Sequence, residues 1–136
     1  MGRRPQEMVA AGLAAAVLSG APSTAWNLMT GSNLLASTRA AGTLVPGRGE
    51  RPSVVAGVVV HIAISAGWTG VLAATLPRCG RWRGALLGGA AGAAIAALDL
   101  GVVAPRRFPA VAALPTGPQV ADHVAFGAIV GWCLAR

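Results

Sequence analysis

Residues 53–76, SVVAGVVVHIAISAGWTGVLAATL, contain no acid, lysine or arginine. A helix rises about 1.5 Å per residue, so about 20 apolar residues cross the hydrocarbon layer of a bilayer. The stretch therefore reads as a transmembrane helix, and it sets the class of the whole chain. Its polar positions fall in line. Gly57, His61, Ser65 and Thr69 are spaced by four, share one helix face, and are predicted to point into a bundle rather than at lipid.

Composition agrees with that class. The chain has 136 residues, one domain's worth, with 54% hydrophobic and 11% charged residues, where soluble domains carry about 25% charged residues. The formal charge of +7 comes from arginine alone, in short clusters between apolar runs. Arginines so placed read as membrane flanks, and no nucleic-acid partner is expected. The absence of lysine and tyrosine looks like the coding bias of a GC-rich bacterial genome. Cys79 and Cys133 form no CxxC pair and no metal-ligand spacing, so both read as free thiols.

Working outward, three more spans are expected, at about 8–29, 84–103 and 119–135. The first follows Arg3 and Arg4 and could pass for a signal peptide. Pro22, directly after the candidate cleavage point, favours a retained helix. Pro22 also lacks an amide hydrogen, which predicts a kink between Leu18 and Pro22. Ser23, Thr24 and Asn27 lie just beyond it, placed to satisfy freed backbone groups or to contact a bound molecule. Residues 33–45 suit a short amphipathic interfacial helix, ended by Pro46-Gly47. In the third span Gly84, Gly88 and Gly92 repeat at the spacing that lets helices approach closely, and Asp99 falls almost on the same face. The proline-rich stretch 104–118 is read as a loop with a short turn near Ala110 to Leu114. In the fourth span His123, Gly127 and Gly131 share a stripe, with Asp122 turned by about 100° from it. The expected fold is all-α: a polytopic bundle of four transmembrane helices with short interfacial helices in the first and third loops.

Threading the spans alternately through one bilayer places every intramembrane polar residue in one leaflet. His61 falls about 12 Å, Asp99 about 8 Å, and Asp122 and His123 about 6 Å from that face. Ser23 and Asn27 close the first span on the same side. The candidate binding cluster is therefore Ser23, Asn27, His61, Asp99, Asp122 and His123, with Arg106 in the adjoining loop. It reads equally as a polar pocket with a role or as a hydrogen-bond network holding the helices together. Asp99 sits near the carbonyl end of its helix, where an anion is disfavoured. It is expected to need a cationic partner, His61, His123 or Arg106, and to be the more sensitive acid. Asp122 is expected to gain from the free amides near Pro118 at the start of its own helix.

Ser19-Gly20-Ala21-Pro22-Ser23-Thr24 and Ala121-Asp122-His123-Val124-Ala125-Phe126-Gly127 resemble pieces of small four-span membrane proteins of unknown function from actinobacteria-like genomes. That resemblance implies no activity. Size, span number and balanced charge also resemble the small multidrug-resistance transporters, at the level of architecture only. Those carry an acid in the first span, and residues 8–29 here have none.

An accessory or structural membrane component, docking through its glycine stripes, ranks first on these grounds. Second comes a small proton-coupled or cation-binding transporter acting as a dimer. A membrane enzyme using His123 or His61 beside an acid ranks third, because no nucleophile motif, phosphate loop or HExxH is present. No cofactor and no metal site are expected, the histidines and acids being too scattered. The expected partners are the lipid bilayer and a second copy or another membrane protein. Six arginines on the side of the termini against five on the other lean toward a plasma-membrane (inner-membrane) protein with both ends cytoplasmic.

Overall fold

The computed structural model describes residues 3–47 and 51–135. Arg48, Glu50 and Arg136, which entered the charge count, lie outside them. Helices α1 (Pro5–Leu18), α2 (Ala21–Thr30), α3 (Ala36–Ala41), α4 (Val54–Thr75), α5 (Arg81–Leu98), α6 (Ala104–Arg107), α7 (Pro109–Ala112) and α8 (Thr116–Leu134) follow in order. There is no strand among the described residues.

The breaks between helices follow from local chemistry. Pro22 would press on the carbonyl of Leu18, and Leu18 is where α1 stops. Helix α2 then starts from the Gly20 carbonyl, which accepts from the Thr24 amide at 3.0 Å and from its hydroxyl at 2.8 Å. Gly31, with φ of +67°, ends α2 in the left-handed region that glycine adopts without strain. Ser53 caps α4 by accepting from the Ala56 amide at 3.2 Å. Leu76, extended before Pro77, ends it. After Leu98 the helix widens into a π-helical turn, Asp99–Val103, in which the Ala104 amide bonds to the Asp99 carbonyl. Pro105 explains the widening: it cannot donate to Gly101 and its ring would clash with that carbonyl in an α-helix.

Helix α8 is the centre of the assembly, packed on α5, α1 and α2, while α4 packs on α1 and α3. The α5–α8 contact is backbone on backbone. A Cβ placed on Gly88 would meet the Gly127 carbonyl, one on Gly127 the Gly88 carbonyl, and one on Gly131 the Gly84 carbonyl. One on Gly92 would meet the carbonyl of His123. The two predicted glycine stripes thus face each other within the chain, and neither is left for a partner. Ala11, Ala15, Leu72, Ile95, Phe126, Val130 and Leu134 form the core between α1, α4, α5 and α8.

The ends of the helices fix their directions. Arg3, just before α1, donates from Nη2 to the Leu76 carbonyl at 2.9 Å, from Nη1 to that of Ala73, and from Nε to that of Leu134 at 3.2 Å. One guanidinium thereby closes the carbonyl ends of α4 and α8, where a cation is favoured. Trp82 at the start of α5 stacks edge-on against Trp132 near the end of α8, with ring centroids 4.8 Å apart. The start of α1, the end of α4, the start of α5 and the end of α8 therefore share one end of the molecule, and the chain alternates in direction.

Among the described residues three helical runs are long and apolar enough to cross a membrane: Pro5–Thr30, Val54–Thr75 and Arg81–Arg107. Their outer faces expose large apolar side chains, including Val17, Met29, Val55 and Leu86, all at least three-quarters exposed. Helix α8 has the length, but Gln119, Asp122 and His123 in its first half leave it less apolar. The short helices expected in the first and third loops are present as α3 and α6–α7.

Candidate functional site

The polar residues of the helices converge on one cavity of about 350 Å³ at the α3 end of the bundle. Ser19 and Ser23 enter from the α1–α2 break, Ser37 and Thr38 from α3, and His61, Ser65 and Trp68 from α4. Ile95 and Asp99 enter from α5 and its π turn, and Gln119, Asp122, His123 and Phe126 from α8. Sequence reasoning thus placed Ser23, His61, Asp99, Asp122 and His123 in one leaflet, and all five line this cavity. Asn27 is buried in α2 but does not line it. Arg106 turns back to donate to the Val102 carbonyl at 2.9 Å and does not reach Asp99.

Within the cavity the two acids have different partners. Asp122 accepts from the Ser23 amide at 3.0 Å through Oδ1 and from the Ser23 hydroxyl through Oδ2. Ser23 is the third residue of α2, so its amide is one of the four at a helix start without an intrahelical acceptor. Asp122 thus closes the start of α2 from across the bundle, not the start of its own helix near Pro118.

Asp99 meets His123, with Oδ2 3.5 Å from Nε2. The other ring nitrogen, Nδ1, lies 2.8 Å from the Gln119 carbonyl oxygen, which can only accept, so Nδ1 carries a hydrogen. Nε2 is the nitrogen that faces the Asp99 carboxyl. A separation of 3.5 Å is longer than a direct charge-assisted bond of about 2.8 Å, which leaves both groups free to face a third molecule. Because both nitrogens of His123 face acceptors, neither is set to take a proton from a serine hydroxyl, and the arrangement is not that of a serine hydrolase.

His61 is the exposed member of the α4 row. Its Nε2 is 2.8 Å from the Ala16 carbonyl and donates to it. Ser65 and Thr69 below it are buried, and a Cβ on Gly12 of α1 would come within 3.1 Å of the Thr69 hydroxyl.

Gln119 and Ser37 are among the cavity residues that escaped the sequence reading. Gln119 donates from Nε2 to the Ser37 hydroxyl at 3.0 Å and lies 3.5 Å from that of Ser23, tying α8 to α3 and α2. The signal for it was present: Gln119 is four residues before His123, hence on the same face of α8. Ser37 carries no such periodicity, lying in a six-residue helix. Among the described residues no group of three or more His, Cys, Asp or Glu side chains is placed to hold a metal ion. No protein family, curated protein or solved structure matches the chain.

Proposed function

We propose that the protein crosses the plasma membrane four times and binds a small, positively charged solute in this cavity, in the manner of a proton-coupled carrier. The fourth crossing is supported by the glycine contacts, which run from Gly84–Gly131 at one end to Gly92–His123 at the other. A helix lying backbone to backbone along a membrane-crossing partner crosses with it. Its polar residues face the cavity and α2, which removes the cost of presenting them to lipid.

One observation carries the choice of solute: the cavity holds two acids and, among the described residues that line it, no arginine. Asp122 is engaged by the Ser23 amide and hydroxyl, which leaves Asp99, with its one long contact to His123, as the acid open to a cation. Trp68 and Phe126 add aromatic faces that attract cations. The docking reading is weakened, because the glycine stripes that would serve a partner are occupied inside the chain.

The test is thermal unfolding of the purified protein with tetraethylammonium, acetate or glucose at equal ionic strength. Tetraethylammonium alone is expected to raise the midpoint, and Asp99→Asn to abolish that shift. Stabilisation by acetate instead would sink the reading.

Topology is checked separately with a membrane-impermeant thiol reagent. Cys79 and Cys133 lie at the end that Arg3 closes, and both are expected to react from the same side, the cytoplasm. A cysteine introduced as Ser32→Cys should react only from the other side. Labelling of Cys79 and Cys133 from opposite faces would eliminate the fourth crossing.

A further inference from the structure

The helices around the cavity close it unequally. Helix α3 forms the roof and is pinned in place: a Cβ on Gly57 of α4 would meet the Thr38 carbonyl, and one on Gly42 the Ser53 backbone. Ser37 is tied to Gln119 of α8, and α3 also packs on α7. The side wall is different. Helices α4 and α5 are not among the closely packed pairs. Between α4 and the π turn lies a second cavity of about 340 Å³, which shares Asp99, His123 and His61, among others, with the first and continues beneath α3 to Phe108 and Leu114.

Val60 of α4 and Leu100 and Val103 of the π turn line this side cavity. Ile64 is 41% exposed there and is the eleventh of the 22 residues of α4, midway along a helix of about 33 Å. In the four-crossing arrangement the gap between α4 and the π turn is therefore at the depth of the lipid chains, with apolar walls and with Asp99 inside it. A hydrated ion would leave those apolar walls facing water, whereas a molecule with a charged head and an apolar body satisfies both ends.

Resting on the cation-binding reading above, we infer that the solute enters from the bilayer, between α4 and the π turn. It is accordingly an amphiphile, with a small ammonium head that reaches Asp99 and an apolar body that lies along Val60, Leu100 and Val103. A polar metabolite taken from water through the α3 roof does not fit this path.

Equilibrium binding of radiolabelled tetramethylammonium and octyltrimethylammonium to the full chain in phosphatidylcholine nanodiscs tests the route. The octyl probe is expected to bind at least about tenfold more tightly, a factor that burial of about two methylenes of its tail already supplies. Part of that gain comes from partition into lipid, so the deciding comparison uses variants. Leu100→Trp, or Val60→Trp from the opposite wall, should weaken the octyl probe about tenfold and change tetramethylammonium less than twofold. Equal affinity of the two probes overturns the route, and so does loss of binding in Leu34→Trp, at the loop side, with none in Leu100→Trp. A dimer that Leu100→Trp converts to monomer would assign the gap to a second copy instead. Binding of neither probe to the parent chain would remove the cation reading itself, and the route with it.

Discussion

Gly88→Leu is expected to separate α5 from α8 and to unfold the bundle, while Leu86→Ala, two residues away, leaves the melting temperature nearly unchanged. The difference comes from what each side chain meets. A Cβ on Gly88 is directed at the Gly127 carbonyl and the Gly131 Cα, which belong to a helix backbone and cannot rotate aside. Overpacking of an ordinary core costs about 1–3 kcal/mol because flexible side chains yield. Here the whole helix must shift, so the loss should reach or exceed the top of that range, a fall of roughly 10 °C or more. Leu86 is 75% exposed on the outer face, and truncating it removes little packing within the bundle. Gly127→Leu should match Gly88→Leu, because the two positions clash reciprocally. Similar melting temperatures for Gly88→Leu and Leu86→Ala would show that α5 and α8 do not meet backbone to backbone.

The two close-contact stripes were legible in the sequence because they depend on periodicity alone, although the sequence reading assigned them to docking on a partner and not to each other. Gly84, Gly88 and Gly92, facing His123, Gly127 and Gly131, needed only the four-residue step of a helix. The break before Pro22 was legible from local chemistry, and the gathering of His61, Asp99, Asp122 and His123 at one cavity from their positions along alternating helices. What the sequence did not yield depends on contacts between distant segments. The Arg3 clasp joins positions 70 and 131 residues apart, and an arginine before a span reads the same whether it binds lipid headgroups or helix carbonyls. The π turn was hidden because Pro105 signals a disturbed helix without saying whether the chain breaks or widens. Gln119 was passed over beside the more conspicuous Asp122 and His123, although it ties the roof of the cavity to α8.

The two acids are expected to separate cleanly by role, with Asp122 holding the fold and Asp99 serving the solute. Reasoning from helix ends makes Asp99 the more sensitive, because it falls near a carbonyl terminus. The structure removes that strain: Asp99 starts the π turn, helical structure continues to Arg107, and His123 faces its carboxyl. Asp122 instead supplies the acceptor for the buried Ser23 amide at the start of α2. Asp122→Ala leaves that amide without a partner, at a cost of about 1–3 kcal/mol. It also removes an anion from a helix start, worth up to about 1 kcal/mol. Asp122→Asn keeps an acceptor for the amide and should lose only part of this. Asp99→Asn breaks one long contact to a half-open histidine and should stay within about 0.5 kcal/mol of the parent. The solute response should show the reverse order: tetraethylammonium still raises the midpoint of Asp122→Asn but not that of Asp99→Asn, whose amide offers a cation no charge. Melting curves of the three variants with and without tetraethylammonium decide the matter. A fall in Asp99→Asn as deep as in Asp122→Ala would make Asp99 a structural residue and leave the cavity without its proposed cation ligand.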